Sequence, residues 1–240
     1  TKSAEFVAQS HLSLAGASGK VGLYYDAEND DWYLPKGSAP STHVVKQSHV
    51  RLDGIVTNER LCLMAAGKLG LEVPDSFIVN VGDRSDSEVL FATARYARVF
   101  DGECRNVGGI RVPMRLHQED FGQAMGIPSA GKYEKTGERY LVDVFRIIRS
   151  NSSDPVMDQM KLWDYVVFDF LVGNTDAHVK NFSLLHGKDA RSIRLAPMYD
   201  VISTTIYPQA TRNMAFGIAG KYNVSEIERN DFAECAKEVG

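Results

Sequence analysis

FDFLVGNTDAHVKNFSLLHGKDARSIRLAPMYDVIST, residues 168–204, is the stretch that decides how the rest of the chain is organised. It opens within an apolar run over residues 165–172, which predicts the end of a buried helix. We expect that helix to break at Gly173, where a cluster of polar residues begins. Short apolar segments follow, and Asp200 comes directly after them. The stretch therefore predicts acids and amides held on a loop and at a strand end, between buried segments.

The spacing of three polar residues indicates phosphoryl transfer. Asp176 and Asn181 form the pattern D-x-x-x-x-N, and a second acid, Asp200, follows after a strand-like pair. In protein kinases an Asp and an Asn at this spacing supply the base and a magnesium ligand, and a later Asp completes the metal site. Magnesium prefers oxygen ligands and takes few of them from the protein. Taken alone the pattern is weak, because Asp and Asn are also common turn formers.

Two segments of this stretch resemble the C-terminal core of the HipA family, the serine/threonine kinase toxins of bacterial toxin–antitoxin systems. The family pattern is N-x-D-x-H-x-K-N-x-S followed by L-x-P-x-Y-D-x-x-S. The matching residues are Asn174, Asp176, His178, Lys180, Asn181, Ser183, Leu195, Pro197, Tyr199, Asp200 and Ser203. The resemblance implies Asp176 as catalytic base. It implies Asn181 and Asp200 as ligands of Mg²⁺, with His178 and Lys180 near the phosphates of ATP.

The resemblance also implies a fold. It is an α+β, two-lobed protein-kinase-like fold, with an antiparallel sheet and a helix in the N-lobe and a mainly helical C-lobe. We expect residues 1–98 to form the N-lobe and residues 99–240 the C-lobe. Family members continue with further helices, so the sequence is expected to stop short of the end of the C-lobe. Its start resembles the short toxins of three-gene systems.

A small-residue segment near the start is the candidate phosphate loop. Residues 13–17 read SLAGA and are followed by Lys20. Backbone N–H groups of such a turn can approach phosphates, although an ordinary glycine hairpin has the same composition. The segment resembles the glycine-rich loop of the HipA family, which implies ATP contacts from Ala15, Gly16, Ala17 and Lys20. In that family a serine of this loop can be autophosphorylated, and the candidates are Ser13 and Ser10.

A strand over residues 41–46 ends in the candidate ATP lysine, Lys46, whose approach sequence resembles that of the family. A helix is expected from Thr57, capped by Thr57 or Asn58. Glu59 then lies in its first turn. We take Glu59 as the partner of Lys46, as in kinases; the alternative is that Glu59 only complements the helix dipole.

Residues 92–98 occupy the place of a hinge. The family has E-R-[FY]-D-R there, whereas this chain has Ala94 and Ala97 in place of the two acids. Backbone groups of Ala94 and Tyr96 are the candidate adenine contacts. The missing acid at position 97 puts nucleotide affinity in question, not the catalytic centre.

The remaining sequence patterns predict the elements of the second half of the chain. Glu119 and Asp120 are expected to begin a helix, and the D-F-G at 120–122 is not the kinase metal site because it precedes the catalytic loop. Residues 132–134 match the family's K-Y-E. Apolar periodicity predicts helices over residues 140–150 and 156–172, the latter capped by Asp154 with Pro155 first. A last helix is expected from Ser225.

Bulk composition limits the classes of function. The net charge is −4 with no dense basic block, which disfavours strong DNA binding by this chain alone. Three widely spaced cysteines form no zinc or disulfide pattern. No long apolar run or leader is present, and we expect a bacterial cytoplasmic protein with no membrane contact. The resemblance implies a helix-turn-helix antitoxin of the HipB type as partner, DNA contact only through it, and an aminoacyl-tRNA synthetase as substrate.

Two other functions stay open. Small-molecule phosphotransferases of the aminoglycoside type share the Asp-then-Asn loop and the later metal Asp, but usually keep an acidic pocket, whereas this loop carries His178 and Lys180. A non-catalytic nucleotide-binding or antitoxin-binding module is supported only by Ala94 and Ala97. The sequence favours a Mg-ATP-dependent serine/threonine protein kinase over both.

Overall fold

The computed structural model describes residues 19–48, 52–81, 89–102 and 104–240. The chain divides into two compact units. Unit 1 comprises Thr1–Met64 and Pro74–Leu116, and unit 2 comprises Ala65–Val73 and His117–Gly240. Within the described ranges, no helix is long and apolar enough to cross a membrane.

Unit 1 is built on a five-stranded antiparallel sheet. The strands are β1 Lys20–Asp26, β2 Asp31–Tyr33, β3 His43–Gln47, β4 Ser76–Asn80 and β5 Val89–Ala94. Their order in the sheet is β2-β1-β3-β5-β4. Side chains alternate between the two faces along β1, so Val21 and Leu23 are buried on one face, where they pack with Val45, Leu90 and Ala92. The sheet predicted for the first part of the chain is therefore present.

Helix α1, Ile55–Lys68, begins earlier than the sequence indicated. The Asn58 N–H already donates to the Gly54 carbonyl at 2.8 Å, so Thr57 and Asn58 lie inside the helix and the prediction that either caps it is wrong. Glu59 is consequently beyond the first turn, which contains no acidic residue. A helix-dipole role for Glu59 is weakened, because that effect fades within one turn.

Two short ribbons follow the sheet in unit 1. Strand β6, Arg98–Val99, pairs with β9, Met114–Arg115, and β7, Arg105–Val107, pairs with β8, Ile110–Val112. These pairings hold residues up to Leu116 in unit 1, whereas the sequence pattern predicted a division after residue 98.

Four further helices lie among the described residues of unit 2. They are α2 Phe121–Ala124, α3 Tyr140–Asn151, α4 Pro155–Val172 and α5 Arg229–Val239. Helix α3 buries Leu141, Val144, Phe145 and Ile148, as its apolar periodicity predicted. Helix α4 begins as predicted, because the Asp154 side chain accepts from the Met157 N–H and Pro155 occupies the first position.

Small sheets complete unit 2. One has the order β10-β11-β12, formed by Gln118–Asp120, Ser183–His186 and Ile193–Leu195. The other pairs β13, Asn213–Ile218, with β14, Lys221–Asn223. Short 3₁₀ turns lie at Ser129–Gly131 and Thr204–Ile206.

Two predicted helix starts in unit 2 need correction. Glu119 and Asp120 belong to β10, and only Asp120 caps the following helix, in a reciprocal capping box with Gln123. The last helix starts at Arg229, not Ser225, because Glu228 is its cap and forms a capping box with Asp231. In both cases the capping box marks the boundary in the sequence itself.

Candidate active site

The loop of unit 2 that follows α4 is set by Gly173. This residue has φ +69° and ψ 39°, the left-handed conformation that closes a helix. A Cβ atom here would lie 2.0 Å from Thr205 Oγ1, so only glycine fits. The predicted break at Gly173 is confirmed, and it turns the chain sharply into the polar cluster.

Asn174 connects the buried helix to the loop. Its backbone N–H donates to the Asp169 carbonyl and its Nδ2 to Asp169 Oδ1, both at 2.8 Å. Its Oδ1 in turn accepts from the Asp176 N–H at 3.3 Å. Burial raises the pKa of the Asp169 carboxyl to about 8, although the bond from Asn174 lowers it. A protonated carboxyl at the end of α4 therefore supports the backbone of Asp176.

The loop is fastened on its other side by threonines. The Thr175 N–H donates to Thr204 Oγ1 at 2.8 Å, and Thr204 Oγ1 donates to the Gly173 carbonyl at 2.8 Å. The backbone N–H groups of Thr204 and Thr205 also reach that carbonyl, each at 3.1 Å. The segment after Asp200 is thereby joined directly to the start of the loop that carries Asp176.

Asp176 is exposed, as a base that must reach a substrate should be. Its Oδ1 accepts a 2.5 Å hydrogen bond from the Tyr133 hydroxyl. No donor to its Oδ2 is found in the part of the chain that the structure describes. One carboxylate oxygen is therefore held and the other is available to an acceptor hydroxyl.

Asn181 is oriented by the same loop. Its Nδ2 donates to the Asp176 carbonyl at 3.1 Å and its N–H to the His178 carbonyl at 2.8 Å. Within the described residues no donor reaches its Oδ1. Because the amide nitrogen is engaged, the oxygen is the atom left for a cation.

Asp200 follows Tyr199, which is tied to the segment around Asn181. The Tyr199 hydroxyl donates to the Lys180 carbonyl at 2.9 Å and lies 2.6 Å from Ser183 Oγ. Asp200 itself has φ +56°, a backbone conformation that few residues other than Gly, Asn and Asp adopt. The structure thus fixes both predicted metal ligands within one hydrogen-bonded part of unit 2.

His178 lies in the loop but is buried, with 7% of its surface exposed. Its ring meets the Tyr133 ring edge to face, with centroids 5.4 Å apart. Burial lowers the pKa of His178, and the nearby Asp176 opposes that shift. Its Nδ1 has no hydrogen-bond partner among the described residues. A neutral imidazole packed on Tyr133 is the state that these contacts favour.

Lys180 forms an ion pair with an aspartate of unit 2. Its ammonium donates to both carboxylate oxygens of Asp120 at 2.9 Å. Asp120 also accepts from the Gln123 N–H as the cap of α2. Lys180 therefore joins the loop to α2, and its charge is already matched by Asp120.

Unit 1 contains the predicted pair of Lys46 and Glu59. The Lys46 ammonium donates to both Glu59 oxygens, at 2.8 and 3.0 Å. The two side chains are only 11% and 3% exposed. The predicted pairing is confirmed, and it places a buried cation on one face of the sheet.

Lys20 shares that face. It lies directly opposite Lys46 in the pairing of β1 with β3, and residues opposite each other project to the same side. Two like charges in this position are unfavourable unless an anion lies near them. The other predicted loop residues, Ala15, Gly16, Ala17, Ser13 and Ser10, lie outside the described residues.

The hinge residues are partly engaged by the protein itself. The Ala94 N–H donates to the Asp75 carbonyl at 2.8 Å, so that N–H is not available to adenine. Tyr96 is half-buried. Ala97 is 5% exposed and its carbonyl accepts from Arg98 and from the Leu116 N–H.

The donor set of unit 2 fits magnesium. Asn181 Oδ1 and the Asp200 carboxylate are hard oxygen ligands of the kind that Mg²⁺ prefers. Among the described residues there is no group of three or more His, Cys, Asp or Glu side chains that could hold a metal ion. A magnesium site of one amide and one carboxylate, completed by water and phosphate, needs no such group.

Sequence reasoning missed two residues that shape the site. Asp169 lies in the apolar run over residues 165–172. Its only sequence signal is that an acid occurs within a helix predicted to be buried. Tyr133 was noted within the K-Y-E match but received no role, since no local spacing links it to Asp176. Only the folded structure shows that Tyr133 contacts Asp176.

The chain belongs to the family of HipA-like C-terminal domains, whose profile matches residues 12–240. A putative kinase, Y4mE, of Sinorhizobium fredii is 35% identical over 95% of this chain and 51% of its own length. The serine/threonine-protein kinase toxin HipA of Shewanella oneidensis is 27% identical over 90% of this chain and 48% of its own. The chain thus spans about half the length of these curated relatives.

Solved structures agree with the family. The Shewanella oneidensis HipA in complex with HipB and operator DNA has a TM-score of 0.79 and 25% identity, covering 97% of this chain and 53% of that one. The Helicobacter pylori proinflammatory kinase CtkA has a TM-score of 0.59 and 16% identity, covering 96% and 79%. The kinase-like α+β fold predicted from the sequence is confirmed by these likenesses.

Proposed function

We propose that this chain is the catalytic part of a Mg-ATP-dependent serine/threonine protein kinase of the HipA type. The observation that carries the proposal is the loop over residues 174–181. It presents an exposed Asp176 with one unengaged carboxylate oxygen and an Asn181 amide with its oxygen unengaged by described residues. These are the parts that phosphoryl transfer to a hydroxyl requires. The names of the relatives support the same activity.

Asp176 acts as the base. Its Oδ2 accepts the proton of the acceptor hydroxyl as the oxygen attacks the terminal phosphorus of ATP, and ADP leaves. Positioned bases of this kind contribute about 10²–10⁴-fold to the rate. Asn174 and the threonine contacts keep the backbone of Asp176 in place.

Asn181 and Asp200 hold magnesium, which when bound neutralises charge on the transferred phosphate. Lys46, oriented by Glu59, holds the α- and β-phosphates, with Lys20 and the backbone of Ala15, Gly16 and Ala17 beside them. Lys180 is matched by Asp120, so we assign it to holding the loop. His178 packs on the Tyr133 ring, and its place near the phosphates remains a proposal.

The location, partner and substrate that we propose are those of the HipA family. We propose that the protein acts in the bacterial cytoplasm, that a HipB-like helix-turn-helix antitoxin binds it, and that DNA is reached only through that antitoxin. The structural relative in complex with HipB and operator DNA supports this partnership. We further propose an aminoacyl-tRNA synthetase as substrate, and Ser13 or Ser10 as the site of an autophosphorylation that adds negative charge where ATP binds.

The test is incubation with Mg-ATP, followed by mass spectrometry of the intact chain and of a bacterial extract added as acceptor. Asp176→Asn is expected to slow transfer about a hundredfold or more while leaving ATP binding largely intact. Asp164→Asn, at an exposed position of α4, is the matched control and should transfer at the parent rate.

The alternatives predict other outcomes. A small-molecule phosphotransferase would phosphorylate amino sugars and leave proteins unmodified. A non-catalytic module would transfer nothing, whether or not a nucleotide titration shows binding. Asp176→Asn turning over at the parent rate would remove Asp176 from the role of base.

A further inference from the structure

We propose that Tyr133 is a positioning residue for the catalytic base: its hydroxyl holds Asp176 so that Oδ2 alone faces the acceptor hydroxyl. This inference rests on the proposed function, because it assigns a part in the same reaction. Neither the spacing of the catalytic loop nor the relatives' names point to this tyrosine.

The contact itself is specific. The Tyr133 hydroxyl reaches Asp176 Oδ1 at 2.5 Å. An exposed carboxylate otherwise rotates freely about its side-chain bonds and spends only part of its time aligned for proton transfer. A hydrogen bond to one oxygen removes that freedom and leaves the second oxygen available. The geometry is that of a base with a fixed direction.

Tyr133 can fix Asp176 because its own segment is fixed at both ends. The Gly131 carbonyl accepts from the Tyr140 hydroxyl at 2.8 Å, and the Glu134 N–H donates to the Ala215 carbonyl at 2.8 Å. The Glu134 carboxylate accepts from three donors: the Tyr140 N–H at 2.6 Å, the Gly217 N–H at 3.0 Å and the Tyr222 hydroxyl at 2.7 Å. A tyrosine between two such anchors has little freedom to follow the carboxylate it contacts.

The ring is held as well as the hydroxyl. It packs edge to face on the buried His178 imidazole, and the Lys132 ammonium lies 4.9 Å from its centroid on the ring face. Burial and the bond to Asp176 raise the pKa of the Tyr133 hydroxyl above its ordinary value, so it remains a donor at neutral pH. Tyr133 therefore contacts two residues of the loop over residues 174–181, Asp176 through its hydroxyl and His178 through its ring.

The test replaces only the hydroxyl. Tyr133→Phe keeps the ring contacts with His178 and Lys132. Its matched control is Tyr25→Phe in unit 1, which also deletes a tyrosine hydroxyl that donates to an aspartate, Asp30 Oδ1, at 2.9 Å. For the parent and each variant one measures the maximal rate of phosphate transfer, the ATP concentration at half-maximal rate, and the thermal midpoint.

Tyr133→Phe is expected to lower the maximal rate about ten- to hundredfold, which is the scale of a lost hydrogen bond to a charged group. The half-maximal ATP concentration should change less than about twofold, because the role proposed for the hydroxyl is to hold Asp176 and not to bind the nucleotide. Tyr25→Phe should keep the parent's maximal rate. A lower maximal rate with an unchanged half-maximal ATP concentration is not the result expected if Tyr133 only stabilised the fold.

Other results overturn the inference. A maximal rate equal to or above that of the parent would mean that the hydroxyl is neutral or blocks the site. Phosphate found on Tyr133 itself would make this residue an acceptor of the transferred phosphate and not a positioning residue. A parent protein that transfers no phosphate to itself or to an extract would overturn the proposed function instead, so the two failures are distinguishable.

Discussion

The Tyr199 hydroxyl donates a 2.9 Å hydrogen bond to the backbone carbonyl of Lys180. Each of these residues directly precedes a proposed magnesium ligand, Asp200 and Asn181 respectively. The bond is extended by Ser183 Oγ, 2.6 Å from the hydroxyl, and by Gln118 Nε2, which donates to Ser183 at 3.1 Å. One side chain thereby links the segments that carry the two proposed magnesium ligands.

Tyr199→Phe should therefore lower the affinity for magnesium. Losing an outer contact of this kind typically costs about ten- to hundredfold in metal affinity, so we expect the Mg²⁺ concentration for half-maximal transfer to rise about tenfold. Tyr165→Phe is the control, because its hydroxyl also donates to a backbone carbonyl, that of Glu72 at 3.1 Å. An unchanged magnesium requirement in Tyr199→Phe would show that the ligands are spaced by other contacts.

Gly173→Ala should destabilise the protein well beyond ordinary backbone strain. The position has φ +69°, and a Cβ there would lie 2.0 Å from Thr205 Oγ1. Gly126 also has φ +69°, but a Cβ added to it would meet no atom of the described residues within 4 Å. Gly126→Ala should therefore cost only about 1 kcal/mol. Urea denaturation gives both values.

The difference between the two glycine variants isolates the contact with Thr205. Adding Thr205→Ala to Gly173→Ala should recover part of the lost free energy of unfolding, since the clashing side chain is then gone. Equal losses in Gly173→Ala and Gly126→Ala would mean that the loop moves aside without cost.

The buried Asp169 predicts a pH dependence of stability. Its pKa is raised to about 8 by burial, while an unfolded aspartate titrates near about 4. Between these values the folded state holds a proton that the unfolded state has released, so the free energy of unfolding falls as pH rises from about 4 to about 8. Asp169→Asn should lose this part of the slope, and Asp164→Asn on the same helix should keep it. Parallel pH profiles for the parent and Asp169→Asn would contradict the assignment.

The buried pair of Lys46 and Glu59 predicts separate effects on stability and on binding. Lys46→Met leaves the Glu59 carboxylate buried without its cation and should cost about 3–5 kcal/mol of unfolding free energy. The double variant Lys46→Met/Glu59→Leu should recover most of that loss, because no buried charge remains at the pair. ATP titration should nevertheless show weak binding in both variants; parent-like binding in the double variant would remove Lys46 from the phosphate site.

The sequence allowed prediction of those parts of the site that lie close together along the chain. Asp176 and Asn181 share one loop, and Asp154 with Pro155 marks the start of α4, because capping and spacing are local properties. The pairing of Lys46 with Glu59 was reached through the kinase pattern. The capping boxes that begin at Asp120 and Glu228 are equally local. The predicted start at Asp120 coincides with the first, whereas the start predicted at Ser225 missed the second.

What lay beyond prediction depends on long-range packing. Tyr133 contacts Asp176 across much of unit 2, and Lys180 finds Asp120 on another element, so no local periodicity reports either contact. The raised pKa of Asp169 depends on how completely α4 is buried, which only the packed structure defines.

The left-handed backbone at Asp200 also bears on how a site of this kind decays in evolution. Besides Asp, the residues that readily accept φ +56° are Asn and Gly. Each is a single base change from an Asp codon, and each removes the carboxylate without disturbing the turn. If Asp200 has the proposed role, relatives that have lost catalysis but kept the fold are expected to carry Asn or Gly at this position, and that substitution would identify them as pseudoenzymes.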